Sequence, residues 1–426
     1  MSVLIGILVV VVGIVVSIAL HEIGHLVPAK KFGVRVSQYM IGFGPTIWSR
    51  KKGETEYGIK AIPLGGYIRM IGMIPPAPEG TKPARSGFFS EVIADSRDAS
   101  VEEILPGEEH RAFYNLSTPK KLAIMLGGPV MNLVLSVVLL AVTLTVGVSI
   151  WEPTNTIFSV GECLPAEEET ECIPTPALIA GLEPGDRIIS FDNVTIADWD
   201  DLLAAISGTA GHEVPLIVVR DGAELALAAA PVEIIRQVQG EDGEIQYVAS
   251  AFVGIGPASE PTGERQTFPL TQVPAEVGHL FVGTAGAVVR FPVAVYQAVA
   301  STVTGGERAT DGVMSVVGIG QVATDVASLD AGVLDRVIIM ISLVASLNMA
   351  LFVFNLIPLL PLDGGHVANA LYEGAKRQIA RLRGKPRPGP TDVARMMPVA
   401  YVMFAVLGVS AILLILADLI NPIQVF

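Results

Sequence analysis

Charge is scarce in this chain, and one form of it is missing from a long stretch. Only 16% of the 426 residues are charged, against roughly 25% in soluble domains, which speaks against an ordinary soluble enzyme. Two cysteines are too few for a disulfide scaffold, and no Gly period supports a collagen-like chain. No internal repeat is evident, and no Gly-rich phosphate loop is present to bind ATP. Basic residues are in the minority: the net charge of −14 argues against nucleic acid as a partner. Between Glu152 and Ala331 there is no lysine at all.

Apolar residues are abundant instead. They make up 51% of the chain, the mean hydropathy is +0.56, and they gather in long runs. Four runs reach the roughly 20 residues needed to cross a hydrocarbon core about 30 Å thick. They are Val3 to Leu20, continuing through His21 to Val27, then Leu122 to Ile150, Val337 to Leu360 and Met397 to Ile420. The first lacks a basic leader region and an Ala-x-Ala cleavage site, so it reads as a span and not as a signal peptide.

Charge asymmetry sets the expected topology. Residues 28–121 carry 14 Lys+Arg against 10 Asp+Glu, residues 152–331 carry 6 against 26, and residues 363–397 carry 7 against 3. The positive-inside rule places the first and third connections in the cytoplasm, and the acidic segment and both termini outside. Cys163 and Cys172 fall in that external segment, where an oxidising compartment permits a disulfide; two free thiols are the alternative.

The first span contains His21-Glu22-Ile23-Gly24-His25. Ionisable groups at membrane depth cost at least about 2.5–3.5 kcal/mol each, so they need a compensating role. Histidines at i and i+4 share one helical face, about one turn apart, and both imidazoles can reach a single Zn²⁺. Glu22, beside the first of them, is placed to take a proton from a water whose pKa zinc lowers toward about 7. A catalytic tetrahedral site calls for one more protein ligand. The end of the third span supplies a candidate: Asn355-Leu356-Ile357-Pro358-Leu359-Leu360-Pro361-Leu362-Asp363-Gly364-Gly365-His366. Its prolines interrupt the helix, and Asp363 on the broken end can turn inward to a metal. His366, past the glycines, ranks below Asp363.

These two motifs resemble those of the site-2 protease family of intramembrane zinc metalloproteases, with likeness to the bacterial regulator-of-sigma-E protease group and its actinobacterial relatives. The family's H-E-x-x-H falls on His21, Glu22 and His25, and its N-x-x-P-x-x-x-L-D-G pattern on Asn355, Pro358, Leu362, Asp363 and Gly364. Gly42-Phe43-Gly44-Pro45, Pro63-Leu64-Gly65-Gly66-Tyr67 and Gly128-Pro129-Val130-Met131-Asn132 are further landmarks. The resemblance implies that Glu22 is the base, that His21, His25 and Asp363 bind one Zn²⁺, and that Asn355 holds substrate or the oxyanion. It also implies regulated cleavage of single-span membrane proteins such as anti-sigma factors after an external cut by a site-1-type protease, and clearance of remnant signal peptides, in the bacterial inner membrane.

Val34 to Met73 alternates apolar and polar residues between turn signals, a pattern of short strands. In the family such a sheet dips into the membrane beside the active site, and its edge can pair with an unwound substrate. Ala180-Gly181-Leu182-Glu183-Pro184-Gly185-Asp186-Arg187 looks like part of a bacterial PDZ domain, a size filter for substrates in the family. The expected architecture is a polytopic α-helical membrane protein with four transmembrane helices, a membrane-associated β-sheet and an extracytoplasmic α+β PDZ domain. Its parts are the first span with the zinc motif (1–29), the sheet (34–74), a cytoplasmic loop (75–120) taken as mobile through Pro75 to Glu109, the second span (121–151) and the PDZ domain (156–258). An amphipathic connection (268–332) that is not a fifth span, the third span (333–362), a basic cytoplasmic loop (363–396) and the fourth span (397–420) complete it. The basic run Lys376 to Arg387 is expected along anionic headgroups of the bilayer. Two other classes are weighed: a non-catalytic membrane PDZ scaffold or chaperone, and a metal-dependent transporter with Glu22 and Asp363 as ion ligands, which would call for inverted repeats that are not seen.

Overall fold

The computed structural model describes residues 2–77, 88–164, 172–239, 245–306, 308–309, 312–329 and 331–423. It divides into two compact units, Met1–Val148 with Thr267–Phe426, and Ser149–Gln266.

The first unit is a helical bundle with a sheet. Helix α1 (Ser2–Lys31) leads into strands β1 (Val36–Lys52) and β2 (Thr55–Met70), then α2 (Phe88–Glu102), α3 (Thr118–Met125) and α4 (Gly127–Val146). Thus the segment expected to be a mobile loop carries a 15-residue helix over Phe88–Glu102, while residues 78–87 lie outside the described residues. The second apolar run is not one helix. Pro129 has no N–H to give the preceding turn, and the chain breaks at Leu126 between α3 and α4.

Three helices pack through small and polar residues, as expected where lipid supplies no hydrophobic drive between helices. Gly24 of α1 and Gly127 of α4 meet backbone to backbone, so closely that neither position has room for a Cβ. In α9 (Val333–Asn355) Asn348 is fully buried and donates to Ser17 Oγ of α1 at 2.8 Å, while Ser136 of α4 donates to the Ala345 carbonyl at 2.8 Å. Gly13 faces Val344 just as Ser17 faces Asn348, so α1 and α9 run parallel, and α4 runs against both.

Among the described residues five helices are long and apolar enough to cross a membrane, where the sequence reading expects four. The additional one is α7 (Val273–Thr304), 32 residues long. Its path is informative. Phe268, just before it, donates to the Leu144 carbonyl near the end of α4, and Val295 and Ala298 in its last turns pack on Leu414 and Ala417. Those two residues belong to α11 (Met397–Ile420), whose start packs near Leu360. Arg308, beyond α7, pairs with Asp418 at 2.6 Å. Both ends of α7 therefore lie at the end of the bundle remote from Gly24 and Gly127. Helix α8 (Val316–Ser328) follows, packed on Val10 and Met340. The segment expected as a basic loop forms a 20-residue helix, α10 (Asp363–Leu382), because its buried Ala370, Glu373 and Ala380 recur at helical spacing.

β1 and β2 are long, bent strands. Met40 pairs with Tyr67 on one side and Gly58 on the other, which leaves Gly66–Met70 at an edge. The Tyr39 hydroxyl ties this sheet to α1 by donating to the Ala19 carbonyl at 2.9 Å. Toward the far end, Phe43, Ile47, Trp48, Ile59 and Ile62 are exposed.

The second unit is α+β. Its main sheet runs β10-β3-β4-β6-β7, with β5 paired to β4, and β8-β9 form a separate hairpin. The strands are β3 (Val148–Val160), β4 (Arg187–Phe191), β5 (Val194–Thr195), β6 (Val214–Arg220), β7 (Ala223–Ala229), β8 (Val232–Gln239), β9 (Ile245–Phe252) and β10 (Ile255–Gln266); α5 (Pro176–Ala180) and α6 (Trp199–Ile206) lie between them. Thr175 caps α5 and Asp198 caps α6. Ile157, Ile188, Phe191, Leu202, Leu216 and Val218 form the core. Asp186 is buried and receives Arg220 Nε at 2.7 Å and Nη2 at 2.8 Å. Cys163 and Cys172 form a disulfide, with Cα atoms 5.1 Å apart.

Candidate metal centre

The site is built where α1 meets the break between α3 and α4. His21 and Glu22 are neighbours in α1 and His25 lies one turn on; Glu22 is 7% exposed and His25 4%. Gly128 lies directly over the His25 ring, where any Cβ would collide with Nε2. The His25 Nδ1–H donates to the Ile124 carbonyl at 2.7 Å, so Nε2 keeps its lone pair free for another partner. That nitrogen lies 3.2 Å from His21 Nε2.

Asp363 closes the group from the other end of the chain. As the first residue of α10, it places Oδ2 3.2 Å from His21 Nε2 and 3.3 Å from His25 Nε2. The turn that delivers it is tight: a Cβ on Gly364 would run into the carbonyls of Leu356 and Ile357.

The three donors fit zinc on their own chemistry. Two imidazoles and a carboxylate form a common catalytic zinc ligand set, and Zn–N and Zn–O bonds of about 2.0–2.1 Å separate tetrahedral ligands by about 3.3 Å. The spacings found are 3.2, 3.2 and 3.3 Å. Asp363 Oδ2 is buried with no hydrogen-bond donor facing it, an arrangement that a cation would complete. Glu22 is adjacent, beneath the edge of β2, where a Cβ on Gly66 would stand 3.0 Å from Glu22 Cγ.

A family model for peptidase family M50 matches residues 9–388, a range that holds this whole group. The chain belongs to peptidase family M50. Among curated proteins it is similar to the zinc metalloprotease Rip1 of Mycobacterium tuberculosis, 32% identical over 99% of this chain and 98% of that one. It is similar to the Rip1 of Mycolicibacterium smegmatis at 32% identity over 99% of each.

Of the residues singled out in the sequence, this M50 chain gathers His21, His25 and Asp363 into one cluster, the only such group of potential metal ligands among its described residues. Asn355 ends α9, and its side-chain amide donates to the Leu351 carbonyl at 2.9 Å. His366 lies on the first turns of α10 and is not one of the three. Another residue comes forward instead. Asn132 of α4, 1% exposed, lies with its amide 3.2 Å from His21 Nδ1, and its Oδ1 is buried without a partner. Turning the amide over, a choice set by the hydrogen-bond network, lets Oδ1 accept the His21 Nδ1–H. In the sequence Asn132 is only a landmark of resemblance; its signal is the one amide side chain in a mostly apolar helix.

Proposed function

We propose that this M50 chain is an intramembrane zinc endopeptidase in which His21, His25 and Asp363 hold one zinc ion and Glu22 is the general base. The observation that carries this reading is the triangle of His21 Nε2, His25 Nε2 and Asp363 Oδ2 beside a buried Glu22. When bound, zinc polarises a peptide carbonyl and acidifies water. The protein's own groups do the rest. Glu22 takes a proton from water and returns it to the leaving amine. Asn132 and the Ile124 carbonyl hold the two imidazoles in the tautomer that presents Nε2. Asn355 stays a candidate for the substrate or oxyanion, reached by rotation away from Leu351.

A helical peptide bond is shielded by its own hydrogen bonds, so the substrate must be extended before attack. The Gly66–Met70 edge is suited to pair with such a strand, since it runs past Glu22. The exposed Phe43, Ile47, Trp48, Ile59 and Ile62 fit a sheet that dips into lipid. Four helices cross the membrane in this reading, and α7 enters and leaves on one side. The termini and the Ser149–Gln266 unit are then extracytoplasmic, where the Cys163–Cys172 disulfide is at home. That unit is a PDZ domain that admits substrates already shortened outside by a site-1-type protease. The substrates are single-span proteins of the bacterial inner membrane, of the anti-sigma-factor kind.

The test is full-length protein in detergent with a tagged single-span substrate truncated on its outer side. Wild type cleaves it within the membrane segment. Glu22→Gln retains zinc and loses cleavage by at least about 10²–10⁴-fold. Cleavage that survives this substitution would refute the mechanism.

A further inference from the structure

A second site lies away from the metal centre, between the start of α3 and the outer face of α10. A cleft of about 510 Å³ there is lined by Ser117, Thr118, Arg377, Arg381, Lys385 and Arg387, with Gly374 at its floor. One side of it is closely packed. Thr118 packs on Gly374, where a Cβ would stand 2.9 Å from Thr118 Cγ2. Beneath it Lys121 Nζ meets both oxygens of the buried Glu373 at 2.9 and 3.0 Å. Glu373 also pairs with Arg377.

The charge of this cleft is one-sided. No carboxylate lines it, and the one beneath, Glu373, already has two cations. Among the described residues Arg381, Lys385 and Arg387 have no ion-pair partner, Arg377 Nε is buried with none, and the Ser117 hydroxyl makes no capping bond. Guanidinium forks, an ammonium and a hydroxyl around one cleft are the donor set that a phosphate oxygen cluster satisfies.

The surface next to the cleft is apolar. Leu371, Tyr372, Ile379 and Leu382 are each about half exposed or more, and at 100° per residue they fall within one stripe of α10. This helix begins only seven residues after α9, a helix of membrane-crossing length. A soluble phosphate would have no use for that stripe; an acyl chain would.

We propose that the Ser117–Arg387 cleft binds the phosphoryl headgroup of an anionic membrane lipid, whose acyl chains lie along the Leu371–Leu382 stripe. It does not depend on the metal centre, and its test needs no cleavage. Full-length, delipidated protein in detergent micelles is offered dioleoylphosphatidylglycerol or dioleoylphosphatidylcholine at equal concentration, and retained lipid is read by native mass spectrometry. Wild type keeps the anionic lipid about tenfold better. Arg381→Gln/Lys385→Gln/Arg387→Gln falls to the phosphatidylcholine level with an unchanged thermal midpoint, and Arg381→Lys/Lys385→Arg/Arg387→Lys keeps the preference. If the triple variant fails to fold, Arg387→Gln alone lowers the preference about threefold. Equal retention of both lipids by wild type, or retention unaffected by the Gln substitutions, overturns the proposal. So does displacement of the lipid by millimolar inorganic phosphate, which would make this a site for a free anion.

Discussion

Asn132 and His21 stand side by side on antiparallel helices, with the amide 3.2 Å from Nδ1 and the other amide atom buried and unpaired. Partners of this kind fix the tautomer of a metal-binding imidazole. Asn132→Ala is expected to weaken zinc binding about 10–100-fold, measured by competition with a chromophoric chelator on full-length protein. Asn132→Asp, which keeps an acceptor, is expected to lose far less. Equal zinc affinity in wild type and Asn132→Ala would remove the residue from the site.

Removal of the metal has its own signature. A ligand held only by the folded state adds stability in proportion to RT ln(1 + [L]/Kd), about 2.7 kcal/mol at a hundred times Kd. A chelator is therefore expected to lower the thermal midpoint of wild type and to leave Asp363→Ala where it already lies. A chelator effect of equal size in both proteins would place the ion elsewhere.

Asp186 gives the Ser149–Gln266 unit an acid limit. The Arg220 guanidinium beside it holds its carboxyl below the ordinary carboxylate range, against the opposing effect of burial. The folded value is thus lower than the unfolded one. The stabilisation is complete above the unfolded value, about 3.9, and is lost as pH falls through the folded one. Asp186→Ala is expected to cost about 2 kcal/mol at neutral pH, and Asp186→Asn to flatten the acid limb. Hydrogen exchange of Val214–Arg220 in the full chain, followed against pH, checks both.

Glu373→Ala leaves the Lys121 ammonium, 4% exposed, without its carboxylate. Loss of one partner of a buried pair costs about 3–5 kcal/mol. The thermal midpoint of the variant should fall accordingly, and Lys121→Met with Glu373→Leu should recover part of the loss. A midpoint unchanged by Glu373→Ala would show that the pair does not clamp α3 to α10.

The His-Glu-x-x-His run and the apolar spans are local, so both were legible in the sequence: an i, i+4 spacing needs only one helix, and hydropathy needs only composition. The polar Asn348 and Ser136 are local signals too, but their use is not, since each finds its partner on another helix. The helix over Asp363–Leu382 was hidden by its charge. Its large apolar residues, Leu371, Tyr372, Ile379 and Leu382, lie on the exposed side, while the buried side is made of Gly364, Gly365, Ala370 and Ala380 with the charged Glu373, a set with little hydropathy. The path of α7 escapes both readings, because length and apolarity state what a helix can cross and say nothing of where its ends are tied.

The order of residues by itself determined the chemistry on offer: two imidazoles one turn apart with a carboxylate beside the first, in a run of apolar side chains, and an aspartate after a proline-broken span. Tertiary structure decided which groups met. The glycine contact of α1 with α4 brings Asn132 and Ile124 to the histidines, and the tight turn at Gly364 brings Asp363 to within 3.3 Å of them. Such contacts depend on the distance between two backbones, and that distance is set by packing.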